Sequence, residues 1–222
     1  MARIAAHIND AGLTVLDASQ ILYREPGFAL LEDDSVTTGN EAFRNARINP
    51  RRIQHQFWSE LTTDPIADKR FAHMSPADLV AVQLEQMLAQ AGGAELIVAV
   101  PAYLSAQQLG LMLGIAGELG VQVAALVDAA VAATRREYRN AVPVHIDMSL
   151  HTTTLSRLAQ PGRVQLDRSE VLPGLGTYAL YDAWLNSVVE TARDFDDQWS
   201  DEVEESWTVI LGHVVNHMIR HY

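Results

Sequence analysis

The sequence predicts an α/β protein with two lobes, each opening with a three-stranded antiparallel meander in a mixed sheet. Two observations predict this fold: three strand-like runs open the chain, and three more follow after Pro143, each set leading into helical patterns. The runs span 4–8, 13–16 and 21–31 in the first set, and 144–149, 152–159 and 163–171 in the second. The two sets share a topology but no sequence period, so the repeat is one of architecture.

The first lobe is predicted to occupy residues 1–140, and turn residues separate its opening strands. Asp10-Ala11-Gly12 lies between the first two runs and residues 18–20 lie between the next two. Residues 33–70 are polar and irregular, and predict a small inserted subdomain. Four arginines are concentrated between residues 44 and 52, and they indicate an exposed subdomain surface or a grip on a partner or phosphate: Arg44, Arg47, Arg51 and Arg52.

Helix signals are clear from residue 75 onward. Ser75 is a favourable N-cap, Pro76 suits the first helical position, and a glycine pair after residue 91 ends a helix predicted over 76–91. The apolar run 95–101 predicts a buried strand of a parallel sheet.

The alternation of helix and strand continues to the end of the first lobe. Ser105 is predicted to cap a helix over 106–119, and residues 121–127 form another apolar strand. Asp128 is predicted to cap a helix that extends to about Tyr138.

The second lobe is predicted over 141–222. After its three strands, Gly174 and Gly176 predict a turn before a helix over about 178–193. We expect this lobe to be incomplete, because half a lobe leaves an apolar sheet face uncovered. The chain is then a fragment of a longer protein, the alternative being a naturally shortened relative.

Composition narrows the classes of partner and site. The 222 residues carry a formal net charge of -12, so an average field of this sign repels nucleic acid and anionic membranes. The sequence has no cysteine, which excludes disulfides and thiolate metal sites. No apolar segment reaches the ~18 residues of a membrane span, and no leader pattern opens the chain, so the default expectation is a cytoplasmic protein.

Several segments resemble one superfamily in the right order. "VPAYLSAQQLGLMLGIAGELGVQVAALVDAAVAAT" (100–134) is similar to a stretch of DnaK-type chaperones, as is "SPADLVAVQLEQML" (75–88). "REPGFALLEDD" (24–34) and "TGNEAFRNARINP" (38–50) are similar to segments of bacterial actins and these chaperones. Over positions 1 to about 190 the chain resembles the ribonuclease H-like fold of the actin, 70-kDa heat-shock chaperone and sugar kinase superfamily.

The resemblance implies a site for ATP and Mg²⁺ between two phosphate-binding hairpins. In the first hairpin, Asp10, Gly12 and Thr14 of "INDAGLT" match the family's Asp-x-Gly-x-Thr turn. A one-residue shift of the match puts Asn9 in the place of the aspartate. A hairpin turn without any ligand is the simpler alternative. In the second, "DMSLHT" keeps Asp147 and Thr152 but has none of the family's three glycines. Those glycines let backbone N–H groups approach phosphate.

Other family positions are also altered. Ala129 stands where the family has a glutamate that orients water, and an alanine side chain cannot do so, so no catalytic residue is predicted. Lys69 is a distant candidate for the chaperones' lysine. Gly174 and Gly176 match the glycine turn before the second-lobe helix, and Asp182 is similar to an acidic residue found there.

Histidines and acidic residues near the C-terminus are interpreted without a metal site. His213, His217 and His221 share one face of a predicted helix, but the glutamate base of zinc proteases is absent, so no metal site is predicted. His145 and His151 are interpreted as strand and turn residues. The acidic run 194–206 lacks EF-hand spacing and is interpreted as a solvated helix junction.

Two functional hypotheses follow from the altered hairpin. The first is a divergent chaperone-like or bacterial actin-like protein with degraded ATPase motifs, whose role is scaffolding or binding of a protein partner or client. The second is an active ATP-dependent chaperone or filament protein with a remodelled second loop, in which Asp10, Asp147 and Thr152 organise Mg-ATP. A third interpretation is that the similarity reflects only shared α/β architecture. The sequence does not specify the partner or the oligomeric state.

Overall fold

A computed structural model describes residues 3–33, 35–92, 95–160 and 162–194, together with Glu205 and Val209, which are both helical. The predicted histidine helix face at 213–221 and nearly all of the acidic run lie outside these residues. Within them, the strands are β1 (Arg3–His7), β2 (Leu13–Leu16), β3 (Ile21–Glu25), β4 (Ala29–Leu31), β5 (Val36–Thr38), β6 (Ile53–Gln54), β7 (Glu95–Val100), β8 (Val123–Asp128), β9 (Val144–Met148), β10 (Thr152–Ala159) and β11 (Gln165–Pro173). The α-helices are α1 (Asn40–Asn45), α2 (Pro76–Ala91), α3 (Ala106–Glu118), α4 (Ala129–Ala133) and α5 (Thr177–Asp194).

The largest sheet, here the large sheet, has the strand order β3-β2-β1-β7-β8. β1 pairs antiparallel with β2 and parallel with β7, and β7 pairs parallel with β8, so the sheet is mixed. Alternate residues along β1 and β7 are buried, with Ile4, Ala6, Leu96 and Val98 facing the main apolar core. The run 95–101, predicted as a buried strand of a parallel sheet, forms β7, which pairs parallel on both sides and buries one face more fully than the other.

The caps of α2 and α3 confirm the start signals in the sequence. The Ser75 hydroxyl accepts the N–H of Asp78 while the Asp78 carboxylate accepts the N–H of Ser75, which is a capping box. Ser105 and Gln108 form the same reciprocal pair at α3. Gly92 ends α2 with φ of 75°, a left-handed conformation that glycine adopts at little cost.

The single strand predicted over 21–31 is wrong. Two strands occupy this segment, β3 in the large sheet and β4 in a three-stranded small sheet of order β5-β4-β6. The two strands are separated by a bend at Pro26-Gly27. The N–H of Gly27 donates to the carbonyl of Asp10 at 2.6 Å, and a Cβ on Gly27 would lie 2.9 Å from Trp58. Glycine is required here because the backbone approaches its neighbours too closely for a side chain.

The third sheet, here the meander sheet, has the order β11-β10-β9 and is antiparallel throughout. α4 contacts all three of its strands as well as β7 and β8, and so joins it to the large sheet. The prediction that α4 extends to Tyr138 is wrong, because the helix ends at Ala133. Residues 135–142 are exposed, so no packed apolar face stabilises further turns there.

In the part of the chain that the structure describes, no helix is long and apolar enough to cross a membrane.

Candidate functional site

Two turns meet where the large sheet faces the meander sheet. One follows β1 and carries Asn9, Asp10 and Gly12; the other joins β9 to β10 and carries Ser149 and Leu150. Asp10 is fully buried, and its Oδ1 accepts the backbone N–H of Leu150 at 2.7 Å. The structure therefore brings the first predicted hairpin and the second into direct contact.

Asn9 makes the second connection between the turns. Its Nδ2 donates to Asp147 Oδ1 at 2.7 Å and to the carbonyl of Met148 at 3.2 Å, while its Oδ1 accepts the N–H of Ala11 at 2.9 Å. Asn9 and Asp10 both contact the second hairpin through their side chains, Asn9 as a donor to Asp147 and Met148 and Asp10 as an acceptor from the Leu150 N–H. The sequence analysis gave Asn9 and Asp10 as alternatives for the aspartate position of the first hairpin, and in the structure both connect the two hairpins.

Two buried carboxylate oxygens beside these contacts have no hydrogen-bond partner among the described residues: Asp10 Oδ2 and Asp147 Oδ2. Burial raises the pKa of Asp10 to about 6, against the opposing effect of the Leu150 N–H, and the nearby Asp147 adds to the rise. Burial also holds the pKa of Tyr103 well above its usual value, with Asp10 and Asp147 contributing. The sequence gave Tyr103 no role beyond its place in "VPAYLS".

Leu150 of the second turn is buried in an apolar cluster against which Ala11 of the first turn packs. Its side chain is 3% exposed and packs in an apolar cluster with Phe28, Phe43 and Ile53. Its carbonyl accepts the N–H of Tyr178 at 2.9 Å. The backbone at Gly176 approaches so closely that a Cβ there would lie 2.1 Å from the Leu150 oxygen, so this turn requires glycine.

Backbone N–H groups of both turns are already bonded within the protein. Ser149 N–H donates to the carbonyl of Thr152 at 2.8 Å, Gly12 N–H donates to the carbonyl of Asn9 at 2.8 Å, and Leu150 N–H is held by Asp10. The Thr14 hydroxyl donates to the carbonyl of Gly12 at 2.9 Å. These N–H groups therefore donate to protein oxygens and are not free to bind an anion. The arrangement does not fit the phosphates of a nucleotide, because these N–H groups are engaged and the second turn has the buried side chain of Leu150 in place of a glycine.

An aromatic stack lies next to Leu150 and joins the inserted segment to the meander sheet. His55 stacks on His151 and Tyr178, with ring centroids 4.8 and 4.5 Å apart, and His55 Nδ1 lies 2.9 Å from His151 Nε2. His151 Nε2 also lies 3.0 Å from the carbonyl of His55, so an Nε2–H tautomer donates to that oxygen.

Burial lowers the pKa of His55 to about 4, with the neighbouring His151 contributing, and burial also lowers the pKa of His151. Both rings are therefore neutral at pH 7. Beside the stack, Arg47 forms a 2.5 Å ion pair with Asp182 of α5. The sequence singled out Arg47 and Asp182 but did not predict that they pair, and it did not single out His55.

Comparison with known proteins identifies the fold. No protein-family model matches the sequence, and no curated protein matches it. Among solved structures, MreB5 of Spiroplasma citri bound to ADP superposes with a TM-score of 0.64 over 86% of this chain, at 15% sequence identity. The fold is actin-like. The chain spans 57% of the length of that MreB5 chain.

An open cleft of about 920 Å³ borders the first turn on the side of α1. Asn9, Gly12 and Thr14 line it together with His7, Arg24 and Arg44. Burial lowers the pKa of His7, although the nearby Asp147 opposes this effect. Met148, Leu150 and Tyr181 also line it, so the cleft extends to the second turn and to α5.

The other residues that the sequence analysis singled out lie outside the two turns or have structural roles. Ala129 is buried at the start of α4, next to Asp128, whose Oδ1 accepts the N–H of Ala130 at 2.8 Å. Lys69 is exposed in a 3₁₀ helix. Thr152 is buried at the first position of β10. Within the described ranges, no group of three or more His, Asp or Glu side chains is arranged to hold a metal ion.

Proposed function

We propose that this chain is a pseudo-ATPase: an actin-like, DnaK-related nucleotide-binding fold whose phosphate site is filled by its own residues and whose role is scaffolding or protein binding. One observation carries the proposal. Leu150 of the second turn is buried in an apolar cluster, and its N–H group donates to the Asp10 carboxylate of the first turn. In this account the first lobe is residues 1–140, with an insertion at 33–70, and the second lobe begins at 141.

The chemistry of the second turn supports this function. A phosphate-binding turn needs free N–H donors and glycines that let an anion approach. Ser149, Leu150 and His151 add side chains at this point, and the N–H groups of Ser149 and Leu150 are engaged. Opening the site would require Leu150 to leave its apolar cluster, at a cost of about 1.5–3 kcal/mol for exposing one such side chain.

Contacts around the turn support a fixed relation between the lobes. The ion pair of Arg47 with Asp182 and the stack of His55 on His151 and Tyr178 connect the insertion to the second lobe. Nucleotide-driven motion needs a ligand that binds one arrangement better than another. A protein held in one arrangement by its own side chains suits a scaffold. Because the net charge is -12, the partner we propose is a protein and not a nucleic acid.

A working ATP-dependent protein is the competing candidate, and one observation favours it. Asp10 Oδ2 and Asp147 Oδ2 are buried without partners, although buried carboxylate oxygens are normally satisfied. Bound Mg²⁺ would satisfy them, and the adjoining cleft is open. The solved relative MreB5 binds ADP, and the fold alone does not transfer that property to this chain.

ATP hydrolysis by the intact protein distinguishes the two candidates. We expect no magnesium-dependent release of phosphate above that of a buffer blank, from the natural protein or from the variant Asp147→Ala. Turnover that requires magnesium and disappears in Asp147→Ala would establish the competing candidate.

A variant that reopens the second turn sharpens this test. Leu150→Gly removes the side chain that fills the phosphate position, and its circular dichroism reports whether the fold survives. An increase in thermal midpoint with Mg-ATP for the variant alone indicates that Leu150 blocks the site. An increase for the natural protein contradicts the proposal.

A further inference from the structure

Two histidine side chains from distant parts of the chain meet within the aromatic stack. His55 follows β6 of the small sheet, and His151 lies in the turn between β9 and β10 of the meander sheet. The ring centroids are 4.8 Å apart, but His55 Nδ1 and His151 Nε2 are only 2.9 Å apart, so these nitrogens lie on the facing edges of the two rings. The carbonyl oxygen of His55 lies 3.0 Å from the same His151 Nε2. Atoms that bind metal ions therefore converge here: two imidazole nitrogens and one carbonyl oxygen.

The spacing of these atoms fits ligands at a right angle. Imidazole nitrogens bind late transition metals at about 2.0–2.1 Å, so two ligands at a right angle lie about 2.9 Å apart, and two at a tetrahedral angle about 3.3–3.4 Å apart. The observed separations are 2.9 Å between the two nitrogens and 3.0 Å between His151 Nε2 and the carbonyl oxygen of His55. They match neighbouring positions of a square-planar or octahedral ion, the geometry of Cu²⁺ and Ni²⁺ with nitrogen and oxygen ligands.

Metal binding at this pair requires no loss of a proton from the protein. Burial lowers the pKa of His55 to about 4 and also lowers the pKa of His151, so both rings are neutral at pH 7. A shift of the His151 proton to Nδ1 frees Nε2 for an ion, and His55 with its proton on Nε2 presents a free Nδ1. Metal ions bind neutral imidazole, so protons do not compete for this pair at neutral pH.

The charged groups around the rings favour a positive ion. Asp182 favours positive charge at His55, and Glu60 does so at His151. Arg47, which is paired with Asp182, opposes the effect at His55 but acts more weakly there than the carboxylate. Both histidines are only partly buried, so an ion from solvent can reach their nitrogens.

We propose that His55 and His151, with the carbonyl oxygen of His55, bind a divalent transition-metal ion of the Cu²⁺ or Ni²⁺ type that connects the small sheet to the meander sheet. Water completes the coordination, since within the described ranges no third His, Asp or Glu side chain is placed to join. The two histidines are 96 residues apart, so the site forms only in the folded protein and the ion stabilises that state. The site makes no use of the contact between Asp10 and Leu150, so this inference goes beyond the proposed function and does not depend on it.

Thermal unfolding of the full-length protein in the presence of Ni²⁺ tests the site. His213, His217 and His221 have a spacing that binds the same ions, so every protein in the test carries His213→Gln, His217→Gln and His221→Gln. In this background we expect Ni²⁺, at about a hundredfold excess over its Kd, to raise the thermal midpoint by about 5–10 °C.

Single substitutions in this background assign the shift to the proposed ligands. His55→Phe and His151→Gln each remove one ligand, and His73→Gln, at an exposed histidine, is the matched control. Loss of a group that merely orients a ligand costs about 10–100-fold in metal affinity, so loss of a ligand should weaken Ni²⁺ binding at least about tenfold. His73→Gln should bind Ni²⁺ as the background does. Equal Ni²⁺ shifts in all four proteins, or no shift in the background, would overturn the proposal.

Electron paramagnetic resonance of the Cu²⁺-loaded protein gives a second readout, which does not depend on thermal stability. We expect a tetragonal Cu²⁺ spectrum with coupling to two imidazole nitrogens in the background protein, and coupling to one in His151→Gln. A spectrum that is the same in the background, in His55→Phe and in His151→Gln would contradict the proposal, because the ion would then be bound elsewhere on the chain.

Discussion

At the scale of single residues, the contact between the two turns depends on Leu150, at a position where the resemblance to the superfamily implies glycine. Leu150 is 3% exposed and packs with Phe28 and Phe43, so its side chain stabilises the contact between the sheets. Leu150→Ala is expected to lower the free energy of unfolding by about 2–5 kcal/mol, the usual cost of such a truncation. Urea denaturation measures this change.

Leu180→Ala on α5 provides the control for that measurement. Leu180 is 56% exposed, so its truncation should change the free energy of unfolding by no more than about 0.5 kcal/mol. Equal effects of the two substitutions would show that Leu150 is not packed in the apolar cluster with Phe28 and Phe43.

Asp10 is expected to make stability depend on pH. Its pKa is raised to about 6 in the folded protein from 3.8, so the folded state holds the proton more tightly. The stability linked to this shift is complete below pH 3.8 and is lost as the pH rises through about 6. With a shift of roughly 2 units, the loss is on the order of 3 kcal/mol.

Asp10→Asn keeps an acceptor for the Leu150 N–H and removes the charge. The variant should therefore be more stable than the natural protein at pH 8 and similar to it at pH 4, as measured by urea midpoints across that range. A variant that is less stable at pH 8 would show that the Asp10 carboxylate is paired with a cation.

At the scale of elements, glycines have different roles in different turns and helices. A Cβ on Gly176 would collide with the Leu150 carbonyl, whereas a Cβ on Gly110 in α3 meets no atom within 4 Å. Gly176→Ala is therefore expected to destabilise the protein by at least about 1–3 kcal/mol. Gly110→Ala should stabilise it by about 0.5–1 kcal/mol, because alanine favours the helix. Thermal unfolding of the two variants checks both signs.

The stack of His55 on His151 and Tyr178 predicts an opposite pH dependence. The pKa of His55 is lowered to about 4 from 6.5, so its neutral form is favoured in the folded state. Its contribution to stability is complete above pH 6.5 and is lost as the pH falls through about 4.

His55→Phe retains an aromatic ring but removes the titration, so it should flatten the fall in stability between pH 6.5 and 4. NMR titration of the imidazole measures the pKa directly. A His55 pKa near 6.5 would show that the ring is solvated and the stack open.

Elements with strong local signals were predicted well. The helices starting after Ser75 and Ser105 were predicted because capping residues act locally, and both capping boxes are present. The single strand predicted over 21–31 was wrong, because it is interrupted at Gly27, where the backbone closely approaches Asp10 and Trp58. Both residues are distant from Gly27 in the sequence, so no local pattern predicts the interruption. The length of α4 was also wrong, since its end depends on missing tertiary contacts.

The candidate site was predictable only in part for the same reason. Asp10 and Asp147 could be found from turns that follow apolar strands, and Asn9 was an alternative at the same turn. The bond from Leu150 to Asp10 spans 140 residues, and no local pattern predicts it. Tyr103 and His55 reach the site through the fold, and their sequence surroundings carry no signal for a site.

At the scale of the whole molecule, the actin-like fold brings two turns together, and hydrogen bonds from Asn9 and Asp10 connect them. The structural relative MreB5 was solved with ADP, so the same architecture supports a nucleotide in that protein. We propose that this chain retains the architecture and uses it for protein binding. That proposal requires the side chain of Leu150 to stay buried in the presence of a nucleotide.

Calorimetric titration of the intact protein with ATP and with ADP, in the presence of magnesium, tests this central claim most directly. The account predicts no heat beyond that of dilution for either nucleotide. A saturable heat with a stoichiometry near one, lost when magnesium is removed, would contradict it.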